Sequence, residues 1–147
     1  MSLSDAWIQT YSGGKFFPLS PESEGITIED IAHALSNLCR FAGHVKRFYS
    51  VAQHSVLVSH YCDPIDALVG LLHDASEAYL LDMPRPLKKS GYFEAYLEAE
   101  DRLMRVIEKK FGIQPMTESV HRADMRVFAA EAAAIAAELS SARSVTQ

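Results

Sequence analysis

From residue 27 onward, apolar residues recur every three or four positions, the period of an α-helix packed on one side. Ile28, Ile31, Ala32, Leu35, Leu38, Cys39 and Ala42 form one stripe and predict a helix over 27–42. Thr27 suits its N-cap, Asp30 takes the capping-box position usually held by Glu, and Gly43 suits the residue beyond its end. A second helix is predicted over 51–61 with Ser50 as N-cap. A third follows over 64–80: Asp63 can cap it, Pro64 fits its first turn, and Ile65, Leu68, Leu71, Leu72, Ala75 and Tyr79 mark its apolar side. Pro84 and Pro86 then predict an extended loop. Phe93, Tyr96, Leu97, Leu103, Met104, Ile107 and Phe111 predict a helix over 92–111, stopped by Gly112. Val120, Val127, Phe128, Ile135 and Leu139 mark a last one over 117–140.

The first 25 residues lack this period. Two aromatic-rich runs, 7–11 and 15–19, flank Ser12-Gly13-Gly14 and predict a small β-hairpin or an arm laid on the core. The expectation is one all-α domain spanning 1–147: an arm or hairpin over 1–25, a helical core over 26–140 and a frayed tail over 141–147.

Composition narrows the function classes. With 147 residues, 48% of them hydrophobic and 22% charged, the chain can bury one core. A formal net charge of −5 argues against a stable nucleic-acid partner, because such binding rests on neutralising phosphates with Lys and Arg. A small phosphorylated ligand held by a few cations is compatible with it. Cys39 and Cys62 fall within apolar patterns and read as buried thiols of a cytoplasmic protein. No apolar run approaches the roughly 20 residues of a membrane span, and residues 1–5 lack the blocks of a signal peptide.

Chemistry enters where polar residues interrupt the stripes. His73-Asp74 breaks the third helix, with Glu77 one turn after His73 and Asp82 just beyond the helix end. His54 lies three positions from both Val51 and Leu57. Asp124 lies four residues from both Val120 and Phe128, while Arg122 and Arg126 face elsewhere on that helix. A buried carboxylate needs a partner. For His73-Asp74 alone, a hydrogen bond within the pair serves as well as a cation. Taken as a set, His54, His73, Asp74 and Asp124 offer two imidazoles and two carboxylates from three helices, suited to Mn, Fe, Co, Ni or Zn as divalent ions.

An H…HD…D pattern in a helical chain resembles the HD-domain metal-dependent phosphohydrolases, over residues 28–140. Local matches are similar to the 5′-deoxynucleotidase-like branch: Val51-Ala52-Gln53-His54-Ser55, His73-Asp74-Ala75-Ser76-Glu77, then Asp82 and Pro84. That branch carries an Arg-Trp pair upstream of the first histidine; here the pair is Arg40-Phe41. The chain also resembles small phage-type enzymes that remove triphosphate from deoxynucleotides such as dATP. The resemblance implies that His54, His73, Asp74 and Asp124 bind the metal. It further implies that Glu77 orients or deprotonates the attacking water, Asp82 assists proton transfer or meets the sugar hydroxyl, and Arg40 holds phosphate. Lys46, Arg47 or Arg85 would complete a cationic wall, and Phe41, Phe48, Tyr49 or Trp7 would either stack on a base or pack in the core. The expected substrate is a small nucleotide, and homo-oligomers are common in the branch. The competing readings are hydrolysis of a cyclic or signalling nucleotide, a catalytically silent HD fold that binds nucleotide or a partner as a sensor, and a purely structural bundle.

Overall fold

The computed structural model describes residues 5–144, with side chains through Ser141. An antiparallel hairpin of β1 (Ile8–Gln9) and β2 (Lys15–Phe16) comes first, Ile8 opposite Phe16. Helices α1 (Ile28–Asn37), α2 (Val51–Tyr61), α3 (Ala67–Leu72), α4 (Glu77–Leu80), α5 (Arg85–Lys88), α6 (Glu94–Phe111) and α7 (Glu118–Ser144) follow. The all-α reading with a small N-terminal hairpin holds. Of the expected tail, 141–144 continue α7, and 145–147 lie outside the described residues. No helix among the described residues is long and apolar enough to cross a membrane.

Helix α2 is central, packed against α1, α3 and α7. Ser50 caps it as expected, and Gln53 completes a capping box: Ser50 Oγ accepts from Gln53 N, and Gln53 Oε1 accepts from Ser50 N at 2.8 Å. One core cluster joins Phe16, Ile26, Ile31, Leu35, Val51, Leu72, Ala75, Tyr79, Leu103 and Ile107. A second joins Val58, Cys62 and Val69 to Val120, Ala123 and Val127 of α7.

Three expectations need correction. Helix α1 stops at Asn37 rather than 42, because Leu38–Arg40 runs extended and pairs with 49–51. Arg40 N donates to Tyr49 O at 2.8 Å and Val51 N to Leu38 O at 2.9 Å. Asp30 does not reach back to the cap; both its oxygens accept from Ser12, at 2.7 Å from N and 2.9 Å from Oγ, which pins the hairpin to α1. Burial opposes the charge on Asp30, but these donors outweigh it and lower its pKa. Finally, the segment after Pro84 is not wholly extended. Pro84 caps α5 and Pro86 occupies its first turn, where a missing N–H breaks no helical bond.

The crossing of α2 and α3 is close because Gly70 lacks a side chain. A Cβ there would lie 3.0 Å from Cys62 Sγ, 3.1 Å from Ser59 Cα and 3.2 Å from Ser59 N. Two of these neighbours are backbone and cannot rotate away. Gly70→Ala should therefore destabilise the protein by about 1–3 kcal/mol, the usual cost of overpacking, although alanine is the better helix former by about 1 kcal/mol. Chemical denaturation measures it; a more stable variant would show that the helices separate freely.

Candidate metal centre and pocket

The buried face of α2 consists of Val51, His54, Ser55 and Val58, so His54 lies on the core stripe itself. On α7 the buried positions are Ser119, Val120, Ala123, Asp124, Val127 and Glu131, again one helical face. The third contribution comes from a break in the expected helix 64–80. Between α3 and α4, residues 73–76 form a turn tightened by i→i+3 bonds: Ala75 N donates to Leu72 O, Glu77 N to Asp74 O and Tyr79 N to Ser76 O. The turn buries Ala75 in the core and presents His73 and Asp74 to α2 and α7. His73 and Glu77 are thus not neighbours on one regular helix.

The four expected ligands converge. His54 Nε2 is 3.0 Å from Asp124 Oδ1 and 3.8 Å from Asp74 Oδ2; His73 Nε2 is 3.1 Å from Asp74 Oδ2 and 3.9 Å from Asp124 Oδ1. His54, His73 and Asp124 each offer a ligand atom within 4.8 Å of the others, close enough to share one cation, whereas Asp74 stands outside that group and adjoins it through His73. Both imidazoles are oriented from behind. His54 Nδ1 donates to Glu131 Oε1 at 2.8 Å, and His73 Nδ1 to Gly70 O at 2.7 Å. These acceptors assign the Nδ1–H tautomer to the neutral rings and leave each Nε2 lone pair directed at carboxylate oxygens, which also present lone pairs. His73 Nε2 is buried without a hydrogen-bond partner, since Asp74 Oδ2 is near but badly aligned. A shared cation resolves that conflict, and this donor set fits a divalent transition metal. His54, His73 and Asp124 form a possible metal-binding group by proximity.

In the absence of a cation, the crowding of acids and imidazoles shifts the proton affinities of both. Burial disfavours a charged His73 ring, but the adjacent Asp74 carboxylate outweighs it and lifts its pKa to about 9. His54 is raised in the same way against its own burial, chiefly by Asp124 and Glu131. Asp74, Asp124 and Glu131 are lowered by the imidazoles and, for Asp74 and Glu131, by Arg40, in spite of desolvation. Glu77 moves the other way: burial, then the charges of Asp74 and Asp82, push its pKa far up. Asp82 is raised by burial and by Asp74.

A cavity of about 410 Å³ opens beside these groups, within the usual range for small-molecule sites. Arg40, Phe41, Asp74, Glu77, Asp82, Arg85 and Asp124 all line it, as the sequence led one to expect of a site. Phe41 faces Phe128 of α7 with ring centroids 6.0 Å apart. Arg85 Nη2 lies 3.3 Å from Asp124 Oδ2, the oxygen turned away from His54.

Lys46 and Arg47 do not belong to this wall. The bridge between 39 and 50 closes the connector into a loop that turns them outward; both are exposed, and Arg47 is 3.8 Å from Glu138. Phe48 and Trp7 are exposed away from the cavity, and the Tyr49 hydroxyl is bound to Glu131.

Similarity to known proteins places the chain among relatives. It is 43% identical over 127 residues to YfdR, an uncharacterized protein of Escherichia coli, covering 86% of this chain and 70% of YfdR. The chain belongs to the YfdR family. It is also 37% identical over 117 residues to an uncharacterized protein of Rhodobacter capsulatus, covering 74% of this chain and 59% of that one. No family model matches the sequence. The functional reading of this YfdR-family chain therefore rests on its site.

Two residues of that site escaped the sequence reading. Glu131 is seven residues after Asp124, two helical turns along the same buried face, and its position four after Val127 was the available signal. Lys88 lay between the predicted loop and the helix predicted over 92–111, in a stretch assigned to no element. In α5 its ammonium lies 2.6 Å from Glu100 Oε1 and 3.8 Å from Glu77 Oε1, at the cavity edge.

Between the two acids Glu77 and Asp82, Leu81 holds φ 70°, ψ 162°, a region almost reserved for glycine. Leu81 N donates to Glu77 O at 2.9 Å, and Tyr96 Oη donates to Leu81 O at 2.7 Å, so the conformation is held from both sides. The Leu81 side chain is largely exposed and loses little contact on removal. Relief of about 1–3 kcal/mol of strain should outweigh the roughly 0.5–1 kcal/mol entropic cost of glycine, so Leu81→Gly should melt at a higher temperature than wild type. A lower melting temperature would mean that Leu81 is unstrained.

Proposed function

We propose that this chain is a divalent-metal-dependent phosphohydrolase of the HD type that cleaves the 5′-phosphate ester of a deoxynucleotide. The products are a deoxynucleoside and either phosphate or triphosphate. The observation that supports this most is the meeting of two imidazole nitrogens and two carboxylate oxygens, from three separate segments, at one end of a cavity that also carries two acids of raised proton affinity and several cations.

His54, His73, Asp74 and Asp124 would hold the cation, which when bound supplies a Lewis acid and lowers the pKa of water. The chain's own residues account for the rest. Glu77 Oε2 is buried without a hydrogen-bond partner beside the cavity. In its ionised form, Glu77 would accept a proton from the attacking water at that place. As the water oxygen bonds to phosphorus, the bond from phosphorus to the 5′ oxygen breaks. That oxygen leaves as the sugar hydroxyl, and Asp82, also of raised pKa, is placed to deliver its proton. Arg40, Arg85 and Lys88 offer the charge that a phosphate dianion needs, and the facing Phe41 and Phe128 rings offer flat apolar surface to a base or sugar.

Purified protein loaded in turn with Mn²⁺, Co²⁺, Zn²⁺, Fe²⁺ or Ni²⁺ should release deoxynucleoside from at least one deoxynucleoside mono- or triphosphate, read by chromatography of the products. Cation binding without turnover of any of them would favour the silent nucleotide-binding reading. Glu77→Gln should keep fold and cation yet lose about 10²–10⁴-fold in kcat, with KM little changed. Wild-type turnover in Glu77→Gln removes this residue from the mechanism. Arg40→Ala should raise KM and leave metal content intact; unchanged kinetics would move phosphate recognition to Arg85 and Lys88.

A further inference from the structure

Glu131 has no part in the chemistry just described, yet its carboxylate accepts from three side-chain donors. The side chain is 6% exposed. Oε1 accepts from His54 Nδ1 at 2.8 Å and from the Tyr49 hydroxyl at 2.7 Å, and Oε2 accepts from Arg40 Nη2 at 2.9 Å. These three donors come from α2, from the connector before it and from the extended segment after α1. Arg40 and Tyr49 reach the same carboxylate because their backbones are paired, Arg40 N on Tyr49 O. A fold needing only a countercharge for Arg40 would not also place His54 on the other oxygen.

We infer that Glu131 is a positioning residue that holds the metal ligand His54 and the pocket arginine Arg40 in one network, so that cation loading and phosphate binding are coupled through it. This rests on the proposed function, because it assumes that His54 meets a cation and Arg40 a phosphate. Two physical effects follow. The Nδ1 bond fixes the His54 ring so that Nε2 faces Asp124 and Asp74, and partners of this kind typically change metal affinity about 10–100-fold when removed. The Oε2 bond holds the guanidinium at the cavity wall while its Nε stays buried without a partner. The arginine is thereby aimed before the ligand arrives, which lowers the ordering cost of binding.

The test uses Glu131→Gln in the full chain, with Mn²⁺ affinity measured by calorimetry and with kcat and KM measured on whichever deoxynucleotide wild type hydrolyses. Mn²⁺ affinity should fall about 10–100-fold. At saturating Mn²⁺, KM should rise with kcat largely kept. The KM increase should be smaller in an Arg40→Ala background than in wild type, because the two residues act through one contact. A merely structural glutamate predicts a lower melting temperature with unchanged Mn²⁺ affinity and KM, and that result overturns the inference. If Glu131→Gln does not fold, Tyr49→Phe decides: it removes a single bond to the same Oε1 and should weaken Mn²⁺ binding in the same direction by less, whereas wild-type affinity overturns the coupling. Wild-type protein that binds no Mn²⁺ overturns both the proposed function and this inference. Wild-type protein that loads and turns over, beside an unaltered Glu131→Gln, overturns the inference alone.

Discussion

The arrangement of α2, α3 and α7 depends on how a group of buried ionisable side chains satisfy one another. His54 is fully buried, and Asp124 and Glu131 are nearly so, on helix faces that carry no other ionisable group. Each charge taken from water costs several kcal/mol unless well-placed partners replace the solvent, and removing one partner leaves another charge buried alone. The structure meets this with a chain of contacts: Tyr49 and Arg40 on Glu131, Glu131 on His54, His54 on Asp124, Asp124 on Arg85. His73 differs: Nδ1 bonds Gly70 O, while Nε2 lies 3.1 Å from Asp74 Oδ2 without an aligned hydrogen bond. Under the proposed function, Nε2 is the atom of this group that a cation would meet.

That network tolerates little slack, which gives the backbone around it a purpose. Gly70 lets α3 lie against the backbone of α2, and its own carbonyl orients His73 three residues later. The 73–76 turn replaces a regular helix at the point where two polar ligands must face α2 and α7 while Ala75 stays in the core. Around the cavity, Phe41 (φ 56°), Ala42 (φ 51°) and Leu81 (φ 70°) take left-handed conformations that cost non-glycine residues of order 1–3 kcal/mol each. All three lie next to residues with a place in the proposed chemistry: Arg40, Asp82 and Glu77.

The helices were legible because their apolar periods are long and their caps conventional; Ser50 with Gln53 and Gly112 act as their residue types suggest. Local signals failed where tertiary contacts overrode them. The α1 stripe continues through Ala42, but backbone pairing with 49–51 ends the helix five residues earlier. The period over 64–80 hides a turn, because tightened i→i+3 bonds preserve the apolar spacing almost as well as a helix does. Site residues were legible where they break a stripe, as His54, His73, Asp74 and Asp124 do. Proximity in sequence misled where chain direction mattered: Lys46 and Arg47 follow Arg40 closely, yet the loop that buries Arg40 turns them to solvent. Glu131 lies in an alanine-rich run with few bulky residues to mark the buried face.

The acids around the cavity divide into two groups by the charges that surround them. Asp74, Asp124 and Glu131 sit among imidazoles, with Arg40 beside Asp74 and Glu131, and these hold their charge despite burial. Glu77 is buried and Asp82 half-buried, both feel the negative charge of Asp74, and both bind protons more tightly than free carboxylates. Carboxylates whose environments push their proton affinities apart perform different tasks. The first group is suited to hold cations and the second to exchange protons with a reacting ligand. Lys88 stands where the second group can be tuned. Glu100 anchors its ammonium at 2.6 Å, while Glu77 lies 3.8 Å away and only partly offsets its charge. The ammonium opposes the rise in the Glu77 pKa without abolishing it.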